Sequence, residues 1–308
     1  MFYNKSEMKM RIGVLGPEGT FSESAARYWL RRVQNADLQI VETTAQAQKA
    51  TGDVRYYETI SDVYEGLLRG EVDFGIVPIE NSIEGSVSDT LDVLSGCNEC
   101  DDNINDDERT IIQIIGEILL PIRICLLARS RNVRKIVSHS HALAQCKRFL
   151  RQKRAEGVVV KAVESTALAA KIASESDDTA ALASEDAARR YRLNVLARDV
   201  QDRESITRFV VLAREAETKP TGHDKTSILI YLKDRPGALY EVLGEFAKRN
   251  INLTKIESRP SKKALGDYMF HIDCEGHLNE ERVQEALKGV RRKVAMLKIL
   301  GSYPRDIS

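Results

Sequence analysis

The sequence predicts an α/β domain followed by a second, smaller domain with the element order βαββαβ. Short apolar strands and amphipathic helices alternate from about residue 11 to residue 214, which is typical of α/β proteins with helices on both faces of a sheet. A polar segment with Pro and Gly but no apolar periodicity follows at 215–224. The alternation then starts again, and a length of 308 residues suits two domains better than one.

The first elements are marked by glycine and capping signals. Arg11–Leu15 reads as a strand that runs into the turn Gly16–Gly19, and a helix follows. Thr20 with Glu23 three residues later has the form of a capping box, which places the start of this helix directly after the turn. Strand, turn and helix together predict a βα unit.

The next elements repeat this pattern. Ser61 is expected to cap a helix that ends at Gly70, and Ser86 or Val87 to open a helix that runs to Leu94. Strands are expected at Val72–Val77, Ile111–Ile118 and Ile122–Ala128.

The longest apolar stretch, Ile118–Ala128, is broken by Pro121 and Arg123. It is much shorter than the ~20 residues that a membrane-spanning helix needs. We therefore expect a buried strand pair there, and no membrane association.

Two stretches interrupt the alternation, at Thr43–Gly52 and at Asn98–Glu108. The first is rich in Ala, Gln and Thr, and the second in acidic residues. Both are interpreted as surface loops or insertions with no chemistry implied.

After the predicted linker, the remaining elements have the split-βαβ order. The expected strands are Thr226–Leu232, Asn252–Glu257, Asp267–Asp273 and Val294–Leu300, and the expected helices are Gly237–Lys248 and Asn279–Lys288.

The charge of the chain is balanced, with 46 Lys and Arg against 46 Asp and Glu. Proteins that bind a nucleic acid backbone usually carry a basic excess, so nucleic acid is not an expected partner. The balance divides unequally between the domains: 30 basic minus 35 acidic residues gives −5 before Lys225, and 16 minus 11 gives +5 from there on.

The N-terminal residues and the cysteines predict a cytoplasmic location. Met1–Met10 lacks the apolar core of a secretory signal, and an odd number of cysteines suits a reducing compartment. The five are Cys97, Cys100, Cys125, Cys146 and Cys274. Cys97 and Cys100 form an isolated C-x-x-C pair without a second ligand pair nearby, so no metal site is predicted.

Several short polar segments stand where helices are expected to begin. Free N–H groups and the positive end of the helix dipole make such starts suitable for binding anions, especially at the carboxyl ends of strands. Any one of these hydroxyls could instead serve only as a cap of its own helix. The segments are Thr20–Ser22, Ser86–Val87, Ser138–His139 and Ser165–Thr166.

Common catalytic signatures are missing from the sequence. The glycines at 13, 16 and 19 do not have dinucleotide-binding spacing, and neither a P-loop nor a G-x-S-x-G elbow occurs. His139 and His141 are two residues apart, which does not suit a shared metal on one helix face. His139 is either a donor to a substrate or a loop histidine held by a backbone contact, and both interpretations stay open.

Three long motifs resemble those of prephenate dehydratases in order and spacing. They are Gly16-Pro-Glu-Gly-Thr-Phe-Ser-Glu23, Pro78-Ile-Glu-Asn-Ser-Ile-Glu-Gly-Ser-Val87 and Thr207-Arg-Phe209. The likeness extends through Leu120–Ile122, Ser138–His139, Ala142–Cys146, Ser165–Thr166 and Gln201–Asp202. Beyond the linker, Gly237–Leu239, Ile251–Thr254 and Glu257–Pro260 resemble the ACT regulatory domain of the same enzymes. The resemblance covers about Arg11 to Tyr303.

The resemblance implies a fold and domain limits. We expect a two-lobed catalytic domain at 9–214, similar to type II periplasmic binding proteins, with a cleft between its lobes. A linker at 215–224 then leads to an ACT domain of ferredoxin-like fold at 225–304.

The resemblance also implies a reaction. Prephenate loses its ring carboxylate as CO2 and its ring hydroxyl as water, giving phenylpyruvate for phenylalanine biosynthesis. Aromatisation drives this step, so no cofactor, metal or covalent nucleophile is expected. The enzyme must supply a proton for the departing hydroxyl and a cleft that positions a dicarboxylate.

The family's essential threonine corresponds to Thr207, and catalytic roles are expected for Thr207, Arg208 and Phe209. Thr207 suits proton donation, and Arg208 with the helix N-termini suits the carboxylates. By composition alone Thr207 would be only a strand residue.

The resemblance further implies a set of substrate-binding positions. Asn81 and Ser86 are expected to be direct contacts, whereas Glu84 could instead compensate a helix dipole. The full set is Thr20, Phe21, Asn81, Ser82, Glu84, Gly85, Ser86, Ser138, His139, Gln145 and Thr166.

The chain departs from the family pattern at two places. Ser140 and His141 stand where Pro and Gln are usual, and Ser205 where Asn is common two residues before the motif threonine. Both departures lie near the expected cleft, and His141 could introduce a pH dependence near ~6.5.

In the ACT domain, the resemblance implies that two copies pair across subunits and bind L-phenylalanine as an allosteric inhibitor. The expected assembly is a dimer or a tetramer. Gly237 would permit close backbone approach, although a pairing surface that binds no effector is the alternative. The expected effector contacts are Gly237, Ala238, Leu239, Asn252, Leu253, Glu257, Ser258 and Arg259.

Two further functions stay open at this stage. Arogenate dehydratase differs only in preferring an amino to a keto group on the substrate side chain. A non-catalytic sensor with an anion-binding cleft would not need the Thr207–Phe209 motif.

Overall fold

The computed structural model describes residues 10–34, 52–96, 112–261 and 268–306. The two predicted insertions, apart from Gly52, and Cys97 and Cys100 lie outside these residues. The strands are β1 Met10–Leu15, β2 Gly52–Tyr57, β3 Phe74–Asn81, β4 Gly85–Ser86, β5 Ile112–Pro121, β6 Cys125–Ala128, β7 Lys135–His139, β8 Val159–Val163, β9 Thr179–Ala183, β10 Asn194–Ala197, β11 Ile206–Arg214, β12 Asp224–Tyr231, β13 Leu253–Pro260, β14 Tyr268–Glu275 and β15 Met296–Pro304. The helices are α1 Phe21–Gln34, α2 Ile60–Leu68, α3 Ser88–Ser95, α4 Ser140–Gln145, α5 Lys147–Ala155, α6 Thr166–Ser174, α7 Glu185–Tyr191, α8 Ala238–Ala247 and α9 Glu281–Arg291.

The strands before residue 215 form two separate sheets, one in each lobe of an α/β domain. The first has the order β2-β1-β3-β11-β5 and the second the order β8-β7-β9-β6-β10. In each sheet the first three strands are parallel, and the fourth is antiparallel because the chain enters it from the other lobe. This repeated order confirms the α/β fold class and the two-lobed, type II arrangement.

The chain crosses between the lobes twice, at 122–124 and at 198–205. The first crossing divides the apolar stretch that was expected to be a strand pair. Its two halves are strands, but β5 belongs to the first lobe and β6 to the second, so the prediction that they pair was wrong. A run of apolar residues predicts that a segment is a strand, but it does not predict which other strand pairs with it.

Two helix starts differ from the sequence prediction. The cap of α2 is Thr59, whose hydroxyl accepts from the Asp62 backbone N–H while Asp62 accepts from the Thr59 N–H, so Ser61 lies inside the helix. At α1 the predicted capping box does not form. The Thr20 hydroxyl donates to the Leu15 carbonyl, and the Glu23 carboxylate accepts from the Gly19 N–H at 2.6 Å.

The third sheet has the order β13-β14-β12-β15 and confirms the βαββαβ domain. One of its faces packs against α8 and α9 around Phe246 and Val283. The other face is covered by the first lobe, where Leu229 and Met269 share an apolar core with α2, α3 and β5. The central strands β12 and β14 are therefore covered on both faces, whereas the edge strand β13 is partly exposed.

The segment 215–224 is less detached than a simple linker. Ala216 and Thr218 are buried, and the Thr218 hydroxyl bonds the Ser302 carbonyl and lies 3.1 Å from His277 Nε2. Asp224 already belongs to β12. The packing of the third sheet on the first lobe thus holds this segment in place. Within the described part of the chain, no helix is long and apolar enough to cross a membrane.

Candidate active site

The side chain of Thr207 is held by one asparagine at the junction of the lobes. Thr207 on β11 is paired directly with Asn81 at the end of β3. The Asn81 amide Nδ2 donates to Thr207 Oγ1 at 2.9 Å and to Ser205 Oγ at 3.0 Å. Because this bond uses a lone pair of the Thr207 oxygen, the hydroxyl proton is left to donate elsewhere.

The orientation of Asn81 is itself determined by the backbone. Its Oδ1 accepts from the N–H groups of Ile83 and Glu84, at 2.9 and 3.0 Å. The amide therefore has one arrangement that satisfies all its bonds, with Nδ2 towards Thr207. The amide of Asn81, which was expected to contact the substrate, is thus occupied by Thr207, Ser205 and two backbone N–H groups.

The motif residues after Asn81 have different partners. Ser82 Oγ accepts from the Ile206 N–H at 3.0 Å, and the Ser82 N–H donates to the Ile206 carbonyl. Ser82 thereby ties the loop to the residue before Thr207. Gly85 has φ +85° in the turn to β4, and no neighbouring atom lies within 4 Å of the place that a Cβ would take.

Glu84 links the two lobes. Gln145 at the end of α4 in the second lobe donates from Nε2 to Glu84 Oε1 at 3.3 Å. The Gln145 carbonyl also accepts from the Asp202 N–H at 2.7 Å, which fixes it against the second crossing. The predicted positions Asn81, Ser82, Glu84, Gln145 and Thr207 are thus brought together.

The loop before α1 and the first turn of α1 form a second contact between the lobes. Phe21 packs against the apolar cores of both lobes. Ser24 Oγ donates to Asp186 Oδ2 at 2.6 Å, and Arg190 is paired with Glu18. Gly19 faces Ala167, next to Thr166 at the start of α6. Thr20 and Thr166 therefore lie on either side of this contact.

Ser138 and His139 contact different surroundings. Ser138 is fully buried and donates to the Leu182 carbonyl at 2.6 Å, so its expected role in binding substrate is not supported by its geometry. His139 caps α4, with Nδ1 accepting from the His141 N–H at 3.3 Å. This is the backbone contact that the sequence left open, and it places the ring proton on Nε2, from which His139 can donate. Burial, with a contribution from His141, lowers the pKa of His139 and favours the neutral ring.

A cavity of about 530 Å³ lies along the two crossings, adjacent to Ser205. Ser205, where Asn is common in the family, is buried and accepts the second Asn81 hydrogen bond. The cavity adds two arginines that sequence reasoning missed, Arg123 and Arg203, because nothing in their local sequence marks them. Its lining residues are Pro121, Ile122, Arg123, Asp199, Gln201, Asp202, Arg203, Glu204, Ser205 and Ile206.

Three predicted site residues do not contact the same space as Thr207. Phe209 is a core residue of the first lobe, in the cluster of Trp29. Arg208 projects from the opposite face of β11, as expected for the next residue of a strand, and binds the ACT domain. Ser86 Oγ donates to Glu257 and accepts from Lys255 Nζ at 2.6 Å. The predictions that Arg208 and Ser86 contact substrate therefore disagree with their geometry.

The partners of Arg208 form a buried group of charges, here called the Arg208 cluster: Arg208, Glu117, Lys225, Asp273 and Tyr303. Burial alone would lower the pKa of Arg208, but Tyr303, Asp273 and Glu117 outweigh it and raise this pKa. Burial lowers the pKa of Lys225, and the Arg208 charge adds to the effect. Burial opposes ionisation of Asp273, yet Arg208 and Ser227 hold its pKa below the ordinary value.

The predicted effector residues divide between the two faces of the ACT sheet. Gly237 at the start of α8 has φ +82° and open space around it, and Ala238 and Leu239 follow in the helix. Asn252 is exposed just before β13, and Leu253 packs on the helix side. Ser258 shares that face because it is paired with Phe270, a helix-side residue.

Glu257 and Arg259 lie on the other face of β13. Glu257 accepts from Ser86, and Arg259 donates to Ser88 Oγ at 3.0 Å and to Asp92 at 2.9 Å. Glu257 and Arg259 therefore do not share a face of the ACT sheet with Gly237 in one chain, and their expected contact with an effector between subunits stays a prediction. Alternation along the strand separates them from Ser258.

His271 on β14 is buried at the same interface, 3% exposed. Burial lowers its pKa to about 4, although Asp273 acts in the opposite direction; Lys255 and Arg259 also lower it, and Asp92 raises it. An unfolded chain binds the proton near pH ~6.5, so between about pH 6.5 and 4 the unfolded state binds more protons than the folded one.

We therefore expect the free energy of unfolding to fall as the pH drops through this window, by up to ~3 kcal/mol from this group. Urea titrations at pH 7, 6, 5 and 4 measure this, and His271→Gln should flatten the dependence. His223→Gln, at an exposed histidine, is the control. Equal pH profiles for His271→Gln and the unmodified protein would contradict the assignment.

Comparisons with known proteins agree with this architecture. The prephenate dehydratase family profile matches residues 12–217 and the ACT domain profile residues 226–292. The chain is 40% identical to the prephenate dehydratase of Methanocaldococcus jannaschii, covering 94% of this chain and 96% of that protein. It is 45% identical to the bifunctional chorismate mutase/prephenate dehydratase of Aquifex aeolicus, covering 98% of this chain and 75% of that protein.

The structure is also similar to a solved structure of a prephenate dehydratase. The prephenate dehydratase of Arthrobacter aurescens in complex with L-Phe is 36% identical, with a TM-score of 0.77, over 96% of this chain and 90% of that one. The chain therefore belongs to the prephenate dehydratase family and carries an ACT domain after its two lobes.

Proposed function

We propose that this protein is a prephenate dehydratase, a carbon–oxygen lyase that converts prephenate to phenylpyruvate, CO2 and water. Family membership supports the reaction. The single observation that carries the mechanism is the Asn81–Thr207 hydrogen bond, which leaves the Thr207 proton free to donate at the junction of the lobes.

The chemistry requires one proton. As the C–O bond breaks, the departing hydroxyl takes up a proton and leaves as water, while the electrons of the breaking ring-carboxylate bond enter the ring. We propose that Thr207 Oγ1 gives this proton to the hydroxyl and takes one back from solvent after water has left. The neutral His139 would donate only a hydrogen bond, from Nε2. Aromatisation supplies the driving force, so the protein has chiefly to orient the substrate and exclude water.

The carboxylates need partners other than Arg208. We propose that the first N–H groups of α6, those of Thr166 and Ala167, and the N–H groups that follow Thr20 serve one carboxylate, because the first N–H groups of a helix have no partner within it. The next N–H of α6, that of Leu168, is already bonded by the Ser165 hydroxyl.

Arg203 and Arg123 line the cavity beside Ser205, but Asp199, Asp202 and Glu204 line it too, and Asp199 lies 3.6 Å from Arg123. We propose Arg203 as the second partner of the carboxylates. The catalytic domain proposed for this chemistry is residues 9–214.

The assay that tests the function is direct. Purified protein incubated with prephenate should yield phenylpyruvate, detected by its strong absorbance in alkali. Rates on arogenate measured alongside decide between the two substrates, since a site that bonds a keto or an amino group can reject the other. Absence of product from both substrates would overturn the proposed reaction and favour a sensor.

We further propose that L-phenylalanine inhibits the enzyme by binding at the ACT domain, proposed at 225–304, and that ACT domains associate two copies into a dimer or tetramer. Gly237, which is exposed at the start of α8, and the exposed Asn252 support this site. The rate with prephenate should fall sigmoidally with phenylalanine concentration. Light scattering should give a multiple of 34.6 kDa.

We also propose a cytoplasmic location, since Cys125, Cys146 and Cys274 are free thiols.

Gly237→Val should abolish the phenylalanine response while leaving the uninhibited rate unchanged. A left-handed backbone costs a residue with a Cβ about 1–2 kcal/mol, and the added side chain would occupy the open space beside α8. Rates with and without phenylalanine measure the response.

Gly222→Val is the matched control, because Gly222 also has a positive φ (+85°) and open surroundings but lies in the linker segment. It should keep the response. Inhibition that survives in Gly237→Val, or is lost equally in both variants, would count against the proposed effector site.

A further inference from the structure

Arg208 connects the catalytic strand to the ACT domain through three hydrogen bonds. Its Nε donates to Glu117 Oε2 at 2.7 Å, its Nη1 to Asp273 Oδ2 at 2.6 Å and its Nη2 to Tyr303 Oη at 2.8 Å. Glu117 belongs to the neighbouring strand β5, whereas Asp273 and Tyr303 belong to β14 and β15 of the ACT sheet. All three guanidinium nitrogens thus donate a hydrogen bond, and two of the three acceptors belong to the ACT domain.

The Arg208 cluster restricts the position of the Arg208 side chain. Its two cations and two anions balance, and each of these four groups is at most 7% exposed. The half-buried Glu80 lies at the edge of the cluster, 3.6 Å from Arg208 Nη1 and 3.5 Å from Lys255 Nζ. Lys225 Nζ shares Glu117 Oε2 at 2.7 Å, and Ser227 Oγ donates to Asp273 Oδ1 at 2.6 Å. A displaced guanidinium would leave a buried charge unpaired, which is strongly unfavourable.

Arg208 also stands where the register of the catalytic strand is determined. The pairing of β11 with β3 shifts between Arg208 and Phe209, since Arg208 is opposite Glu80 and Phe209 opposite Pro78. Asn81 is opposite Thr207 only because of this irregularity. A β-bulge of this kind re-aims neighbouring side chains and needs support from its surroundings.

We propose that Arg208 is a positioning residue for Thr207, and that the ACT domain supplies part of the anchor through Asp273 and Tyr303. The planar guanidinium, bonded to three partners, fixes β11 beside the bulge, and the register of β11 in turn sets the Asn81–Thr207 hydrogen bond. The regulatory domain is then part of the architecture that orients the catalytic hydroxyl. This inference rests on the proposed function of Thr207.

The test uses the full chain with Arg208→Lys and Asp273→Asn. Lys keeps the charge of the cluster, but its single ammonium nitrogen cannot occupy the three separate positions from which Nε, Nη1 and Nη2 of Arg208 donate. The fold should therefore be retained while the anchor is lost. Asp273→Asn weakens the anchor from the ACT side. Each should lower kcat by about 10- to 100-fold, the effect of misplacing a reacting group by ~1 Å, and change KM less than about twofold.

A double-mutant cycle separates positioning from general damage. If Arg208 acts through Thr207, then Thr207→Val combined with Arg208→Lys should be no slower than Thr207→Val alone. Asp224→Asn is the matched control: this acid is also buried in the ACT domain but binds Thr221 and Gly222 instead of the cluster. It should leave kcat at the level of the unmodified protein.

Hydrogen exchange of the segment 205–209 gives a readout independent of turnover, and should accelerate in Arg208→Lys and Asp273→Asn but not in Asp224→Asn. Unchanged kcat and unchanged exchange in the two cluster variants, or losses that multiply with Thr207→Val, would overturn the inference. An unmodified protein without activity would overturn the proposed function instead, and the exchange data alone would then decide whether the cluster holds β11.

Discussion

Thr207→Val should lower kcat by about 10²- to 10⁴-fold, the range expected for removal of a proton donor. Val matches the shape of Thr and suits a strand, so β11 should keep its pairing with β3 and β5. The loss follows from the missing hydroxyl, which Asn81 otherwise holds at 2.9 Å with its proton available. Initial rates of phenylpyruvate formation at saturating prephenate measure the effect.

Thr207→Ser is the informative companion variant. It keeps the hydroxyl and the Asn81 bond, and should therefore recover most of the rate that Val loses. Binding of prephenate, followed by calorimetry in the inactive variant, should change little. Comparable activity in Thr207→Val and the unmodified protein would remove Thr207 from the chemistry.

Arg208→Met should produce the largest loss of stability. Removing one partner from a buried group of charges typically lowers the free energy of unfolding by about 3–5 kcal/mol, because the remaining charges are left uncompensated. Here Glu117 would retain Lys225, whereas Asp273 would lose its direct cation. Equilibrium unfolding in urea, followed by circular dichroism, measures the change.

Arg69→Met provides the surface comparison. Arg69 pairs with Glu65 and Glu71, but its side chain is 53% exposed, and pairs of this kind contribute little. Its unfolding midpoint should stay at that of the unmodified protein. If the unfolding midpoint of Arg208→Met changed as little as that of Arg69→Met, the predicted loss of stability would be wrong, because the remaining charges would be solvated by water.

The stability of Arg208→Met also bears on the positioning role. Arg208→Lys should retain most of the stability because it keeps the charge, yet lose turnover because it lacks the planar fork. The alternative result is that turnover falls in each variant only in proportion to its loss of stability. The Arg208 cluster would then stabilise the fold without separately orienting Thr207.

Much of the fold was readable in the sequence because it depends on local signals. Glycine turns and alternating apolar residues predicted β1, α1 and β3 within a few residues, and the second alternation predicted the ACT domain. Long motifs in register identified the family from the chain alone. The local rules failed at α2, where the cap is Thr59 and not Ser61, because two nearby residues could each satisfy the pattern.

The candidate site was predicted in part for the same reason. Asn81, Glu84, Gln145 and Thr207 were named from motifs, and the structure brings them together. Arg208 and Ser86 were named from the same motifs but bind the ACT domain. A motif records which residues a segment contains, and it does not record which face of the segment each one occupies.

The sequence by itself determined the element order, the two-domain organisation and the hydroxyl expected to carry the chemistry, because these follow from local periodicity and from contiguous motifs. Only the tertiary structure decided that the motifs 78–87 and 207–209 each place some residues in the candidate site and others against the ACT domain. Adjacent strand residues point to opposite faces, so Thr207 lies with Asn81 while Arg208 enters the buried charges of the ACT interface. Which group covers each face depends on strands that lie ~65 or more residues away along the chain, as Asp273 does from Arg208.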